Sequence, residues 1–148
     1  MIFMKILELG HVVLYVTNLE QSANFYKNIL GFREILRKHP MAVFSSGRTH
    51  HELLLIEIGG EKRIHGPEPG LYHIGFKIGN SPKDAKKIFA ELKKNKVTIV
   101  GTADHTVTHS IYILDLDGNE LELYADVSSE WKKNPKVILA APKVLNLD

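Results

Sequence analysis

The chain has 148 residues, enough for one domain with a core of its own. Apolar residues make up 44% and charged residues 24%, the balance of a globular rather than a disordered chain. A net charge of +2 with no Lys/Arg stripe interleaved with aromatics argues against nucleic acid, and the absence of cysteine removes disulfides, zinc–thiolate sites and cysteine nucleophiles.

The N-terminal run MIFMKILELGHVVLYV is broken by Lys5, Glu8 and His11, so it matches neither a membrane span nor a secretory leader. With a cysteine-free composition, this predicts a soluble cytoplasmic protein. GHVVLYVTNLE reads as a strand ending at Thr17-Asn18. Asn18 with Gln21 three residues on makes a capping box, Phe25, Tyr26, Ile29 and Leu30 share a helical face, and Gly31 is placed to end the helix. FREILR, MAVFSS and HELLLIEIG are three short strands. The first half, about residues 6–60, is thus β-α-β-β-β.

Gly59 to Gly70 (GGEKRIHGPEPG) is a polar connection. LYHIGFKIG then reads as a strand, and Ser81-Pro82 opens a helix whose apolar face is Ala85, Ile88, Phe89 and Leu92, with a stop at Asn95. VTIVG, SIYILDL and NELELYA follow as strands, so residues 70–126 repeat β-α-β-β-β. The expected fold class is α+β, two tandem βαβββ modules in one domain over residues 1–131. A tail over 132–148 has no counterpart in the repeat and reads as a partner-binding arm or a frayed end, with Trp131 as an anchor. KDAKKIFAELKKNK is read as a solvated helix face, Phe3, Phe44 and Phe76 as core or pocket wall, and His39 and His65 as surface residues.

Laying the halves together puts His11 over His73 and Leu54 over Glu122. Glu122 lies between Leu121 and Leu123 in a strand otherwise suited to burial, and a buried unpaired carboxylate is costly. Neutral imidazole is a common metal ligand, and two histidines with one carboxylate leave open positions that suit non-heme Fe(II), with Mn(II) able to replace it. A lone strand histidine is more often a core or surface residue; the repeat-related pair with Glu122 tips the reading to metal. The rival places Glu122 toward water, on one face with Glu120.

At these residues the chain resembles the vicinal oxygen chelate superfamily, and within it small extradiol dioxygenases of the catechol 2,3-dioxygenase type. The resemblance covers roughly Leu9 to Trp131. GHVVLYVTNLEQSANFYKNILGF is similar to the superfamily's widely shared first strand and helix. THHELLL, GLYHIGFKI and DHTVTHSIYILDLDGNELELY discriminate more, the last resembling the signature in which a His precedes a Tyr and an Asp-Pro-Asp-Gly turn leads to a glutamate ligand. Leu116 stands where that turn usually has Pro.

The resemblance implies a curved mixed sheet around a metal-binding cleft, with metal ligands His11, His73 and Glu122. It also implies an acid/base His51, a further active-site His105, for which His109 competes, and a substrate-binding Tyr112. Strict alternation puts His50, not His51, in phase with Leu54; a bulge would turn either inward. Glyoxalases of the superfamily use a fourth ligand in the slot of Leu54, which cannot coordinate, and Glu52 would need a register shift to replace it. The implied activity is Fe(II)-dependent extradiol cleavage of a catechol-like aromatic by O2, with homodimers or higher homo-oligomers expected. The alternatives are a glyoxalase-type isomerase or lyase, and a metal-free small-molecule binding protein.

Overall fold

A computed structural model describes residues 4–62, 64 and 66–148. The expectations for Phe3 and His65 lie outside the described residues. The fold is α+β: two four-stranded mixed sheets, each carrying one main helix, in two compact units spanning Met1–Lys62 and Arg63–Asp148. Among the described residues no helix is long and apolar enough to cross a membrane.

In the first unit β1 is Val12–Val16, α1 Leu19–Asn24, β2 Arg33–Lys38, β3 Met41–Ser45 and β4 Leu53–Glu57. The strand order is β1-β4-β3-β2, with β1 parallel to β4 and the other pairs antiparallel. Asn18 caps α1 as its sequence position predicts, its side chain accepting from the Gln21 amide at 2.9 Å. Glu57 reaches over from β4 to accept from the Leu19 amide at 2.6 Å. The helix continues as a π-helical turn over Phe25–Ile29. That widening buries the adjacent pair Phe25 and Tyr26, beside Leu19, Ser22 and Ala23, against Leu14, Val16, Ala42, Phe44, Leu53 and Leu55 of the sheet. Gly31, at φ +76°, takes the left-handed conformation that ends the segment.

In the second unit β5 is His73–Gly79, α2 Pro82–Lys94, β6 Ile99–Asp104, β7 Thr108–Leu114 and β8 Glu120–Asp126. The order β5-β8-β7-β6 repeats that of the first unit, with β5 parallel to β8. Ala85 and Leu92 of α2 are buried over one face of this sheet, where Ile74, Ile111, Ile113, Leu121, Leu123 and Ala125 form the core. The predicted helix start is reciprocal: Ser81 Oγ donates to Asp84 Oδ2 at 2.8 Å and accepts from the Asp84 amide. The Asn80 amide also donates to Asp84 Oδ2, at 2.9 Å. Its hydroxyl and amide donors, Ser81 first, hold the Asp84 carboxyl below the usual carboxylate range. The resulting stability is fully present above that ordinary range and is lost as pH falls through the lowered value.

The tail is tied to the second unit. Lys143 pairs with Asp104 on the outer edge of β6, Thr102 Oγ1 donates to the Leu145 carbonyl at 2.8 Å, and Leu147 is buried. Lys93 and Lys86 hold Asp148, the former at 2.5 Å from its carboxylate. An open sheet edge is thereby covered.

Two stability outcomes follow. A Cβ on Gly79 would lie 2.3 Å from the Asp84 Cβ, so Gly79→Ala must displace the capping box. It is expected to cost about 2 kcal/mol, read as a lower urea midpoint at unchanged slope. Leu147→Ala is expected to cost about 2 kcal/mol or more, whereas Val144→Ala, at a 97% exposed position, should leave the midpoint in place.

Candidate metal and active site

The register of β8 arranges the second unit's functional face. β8 lies between β5 and β7, and Glu122 stands opposite Gly75 on one side and Tyr112 on the other. Its neighbours Leu121 and Leu123 point into the core under α2, so Glu122 belongs to the sheet's other face with His73 and Tyr112. It is neither in the apolar core nor in open solvent: its side chain is 17% exposed.

Glu122 Oε2 lies 3.1 Å from His73 Nε2, and Tyr112 directs its hydroxyl to Glu122 Oε1 at 3.4 Å. The same hydroxyl is 2.7 Å from His105 Nε2. With the phenolic proton turned to Glu122, His105 must be the donor in that shorter bond. Burial first, then the Glu122 charge and hydrogen bond, push the Tyr112 phenol up to about 12, so it stays protonated near neutrality.

His105 is held by a tight β6–β7 turn. Its amide donates to the Thr108 carbonyl at 2.9 Å, and the Thr106 amide donates to Asp104 Oδ1 at 2.7 Å. Thr106 sits at φ +72°, and its hydroxyl is buried without a hydrogen-bond partner. His109 alternates onto the other face, opposite Ala125, with its Nε2 3.9 Å from Asp104. His105, not His109, therefore reaches Tyr112. The Leu116 departure leaves the turn intact: Asp115 Oδ1 accepts from the Asp117 and Asn119 amides at 2.9 and 2.8 Å, and Gly118 takes φ +84°.

In the first unit His11 precedes β1 and is exposed. The His51 ring lies beside it, centroids 4.5 Å apart, and His50 Nδ1 is 2.6 Å from His51 Nδ1. Strand alternation put His51 out of phase, but both histidines precede β4 in a loop where alternation does not operate. Loss of water contacts, then the imidazoles of His11 and His50, lower the His51 pKa from its ordinary value. Leu54 occupies the place that mirrors Glu122, as the register shows: Val13 pairs with Leu54 where Gly75 pairs with Glu122. Glu52 is committed elsewhere, accepting from the Ser46 amide at 2.9 Å, the Ser46 hydroxyl at 3.1 Å and the Thr49 amide at 3.1 Å.

Among the described residues no three His, Asp or Glu side chains already converge on one point. The His73–Glu122 pair does fit a divalent cation. It presents one imidazole nitrogen and one carboxylate oxygen to each other, and no cationic side chain of the described network neutralises Glu122. Gly75 lies beside them, where a Cβ would make ordinary contacts, 3.5 Å from the Tyr124 ring and 3.6 Å from Glu122 Oε2. Sequence reasoning did not single out Gly75, although a glycine two residues after His73 within a strand was the available signal. It also passed over Tyr72, whose ring lies 4.5 Å from that of His73.

Residues 8–123 match the model of the Glyoxalase/Bleomycin resistance protein/Dioxygenase superfamily. The chain is 31% identical over 130 residues to a catechol-2,3-dioxygenase of Bacillus subtilis (strain 168), covering 85% of this chain but only 44% of that protein's length. It is 32% identical over 120 residues to the metallothiol transferase FosB of Staphylococcus haemolyticus, covering 78% of this chain and 81% of FosB. Among solved structures, the fosfomycin resistance protein FosX of Listeria monocytogenes, complexed with Mn(II) and 1S,2S-dihydroxypropylphosphonic acid, superimposes with a TM-score of 0.68. At 22% identity, over 88% of this chain and all of that one, it establishes likeness of fold.

The Tyr112 environment is directly measurable. In metal-free protein, spectrophotometric titration of the five tyrosines should show one phenol ionising only near pH 12, absent from Tyr112→Phe. Glu122→Gln should bring it part of the way down, because burial, the larger cause, remains.

Proposed function

The chain belongs to the Glyoxalase/Bleomycin resistance protein/Dioxygenase superfamily, and we propose that within it this protein is an Fe(II)-dependent extradiol dioxygenase. Its substrate in this reading is a catechol-like aromatic, cleaved with O2. The observation that carries the reading is the protonated Tyr112 phenol set between His105 and Glu122. That is a hydrogen-bond donor held against a metal-ligand carboxylate, suited to negative charge building on a substrate oxygen.

His73 and Glu122 would hold the metal, with Mn(II) able to replace Fe(II). Bound there, the metal would supply Lewis-acid and redox chemistry toward the substrate oxygens and O2. Leu54 offers no donor and Glu52 is spent on its own loop, so neither residue adds the fourth protein ligand of a glyoxalase-type isomerase. His51, with its lowered pKa, is neutral near pH 7 and can take a proton from a substrate hydroxyl and return it later. Tyr112, oriented by His105 Nε2, donates to the substrate oxygen on which charge develops.

A second reading, a metal-dependent thiol transferase, is favoured by the 81% coverage of FosB. It shares the ligand set but needs cations for an anionic substrate. Lys77, on the same sheet face as His73, is bound to Asp126 at 2.5 Å. This favours the dioxygenase.

Anaerobic reconstitution followed by oxygen uptake on a catechol panel separates the two. The dioxygenase reading expects about one Fe(II) per chain, oxygen consumed and a yellow ring-opened product. Thiol addition to a phosphonate epoxide with Mn(II), without oxygen uptake, would replace it. Glu122→Ala is expected to lose both metal and turnover. His51→Ala should keep the metal and slow turnover by roughly 10²–10⁴. Light scattering should report a homodimer or higher homo-oligomer.

A further inference from the structure

The face that carries Glu122 carries a second carboxylate. Glu120 stands opposite His73 in the β5–β8 register, one pair before Gly75 and Glu122. Two glutamates thus address the two nitrogens of one imidazole. Glu122 Oε2 is 3.1 Å from Nε2, and Glu120 Oε1 is 3.8 Å from Nδ1. His73 Nδ1 is buried and has no hydrogen-bond partner.

We propose that Glu120 is a positioning residue for His73, the acceptor for its Nδ1–H when Nε2 binds the metal. The proposal rests on the assignment of His73 as a ligand. An imidazole that gives the Nε2 lone pair to a cation must carry its proton on Nδ1. A buried N–H left without an acceptor is destabilising, and ligating histidines ordinarily donate that proton to an oxygen. Glu120 Oε1 lies roughly 0.6 Å beyond the usual hydrogen-bond range, a gap that a small side-chain rotation closes.

Tyr72 flanks the imidazole. Its ring lies against His73 at 60°, centroids 4.5 Å apart.

The internal repeat supplies the contrast. Since Val12 pairs with Leu53 and the Val12 amide donates to the Glu52 carbonyl, Glu52 stands by His11 as Glu120 stands by His73. The Glu52 carboxylate is turned to Ser46 and Thr49, and Arg48 Nε lies 3.6 Å from it. The same position serves a loop in one unit and an imidazole in the other.

The test compares wild type, Glu120→Leu and Glu120→Gln, titrated metal-free with Mn(II) and with Zn(II) by calorimetry. The Zn(II) forms are then examined by NMR at the His73 Nδ1 proton. Wild type should bind about one cation per chain and show a downfield, slowly exchanging Nδ1 proton. Glu120→Leu should bind 10–100-fold more weakly and lose that resonance. Glu120→Gln, which keeps an acceptor oxygen, should recover most of both. If Glu120→Leu does not fold, Glu120→Asn, too short to reach Nδ1, takes its place.

Wild-type affinity and an unchanged Nδ1 proton in Glu120→Leu would overturn the proposal while leaving the metal assignment standing. A Glu120→Gln as weak as Glu120→Leu would overturn it too, by showing a charge effect rather than an acceptor. A wild type that binds neither cation would remove the metal assignment itself, and this role with it.

Discussion

The site depends on the register in which β8 is held between β5 and β7. A slip of one residue would carry Glu120, Glu122, Tyr124 and Asp126 onto the α2 side and turn Leu121, Leu123 and Ala125 outward. Seven inter-strand pairs with β7, and the burial of the three apolar side chains, oppose that slip. The Asp115–Asn119 turn fixes where β8 starts. The Asp115 carboxylate accepts three hydrogen bonds there, from the Asp117 and Asn119 amides and the Asn119 side chain, so the turn is held with Leu116 in place of a proline. The placement of Glu122 is a consequence of core packing on the opposite face.

Much of the architecture was legible because it rests on local chemistry. The Asn18 and Ser81 caps, the apolar stripe of α2 and the alternation of β8 are short-range signals, and each appears where its residues place it. The repeat was legible for the same reason, and the parallel pairings β1–β4 and β5–β8 confirm the equivalence of Leu54 and Glu122 position by position. The π-helical turn after α1 was not legible, because it follows from tertiary burial of Phe25 and Tyr26 side by side. The placement of His51 next to His11 was opaque to alternation because the chain between β3 and β4 is a loop governed by Glu52 and Ser45. In the sequence Glu120 served only the rival reading in which Glu122 faces water. Its relation to His73 needs the β5–β8 register, which pattern alone does not provide.

The two units show how one βαβββ plan is used in two ways. The first unit's sheet presents Val13, Tyr15, Met41 and half-buried Leu54 and Ile56 on the face away from α1. The equivalent face of the second carries His73, Lys77, Tyr112, Glu120, Glu122 and Asp126. Backbone pairing is nearly the same in both, so the difference lies in side chains on one face of each sheet. A repeated fold supplies positions, and the residue at each position decides whether it lines a polar face, packs or holds a loop.

The second unit also bears local costs that packing elsewhere offsets. His73 Nδ1, Thr106 Oγ1 and His109 Nδ1 are the buried side-chain atoms without hydrogen-bond partners among the described residues, and all three belong to this unit. Thr106 combines an unpaired hydroxyl with a left-handed backbone, unfavourable for a β-branched residue by on the order of 1–2 kcal/mol. It does so in the turn that aims His105 at Tyr112. These costs are borne by the fully buried Ile111, Ile113 and Leu121 on the opposite face and by the tail that closes the β6 edge. Packing elsewhere in the unit is what permits these unsatisfied groups, which sit on the polar face at His73, in a turn at Thr106 and on the core side at His109.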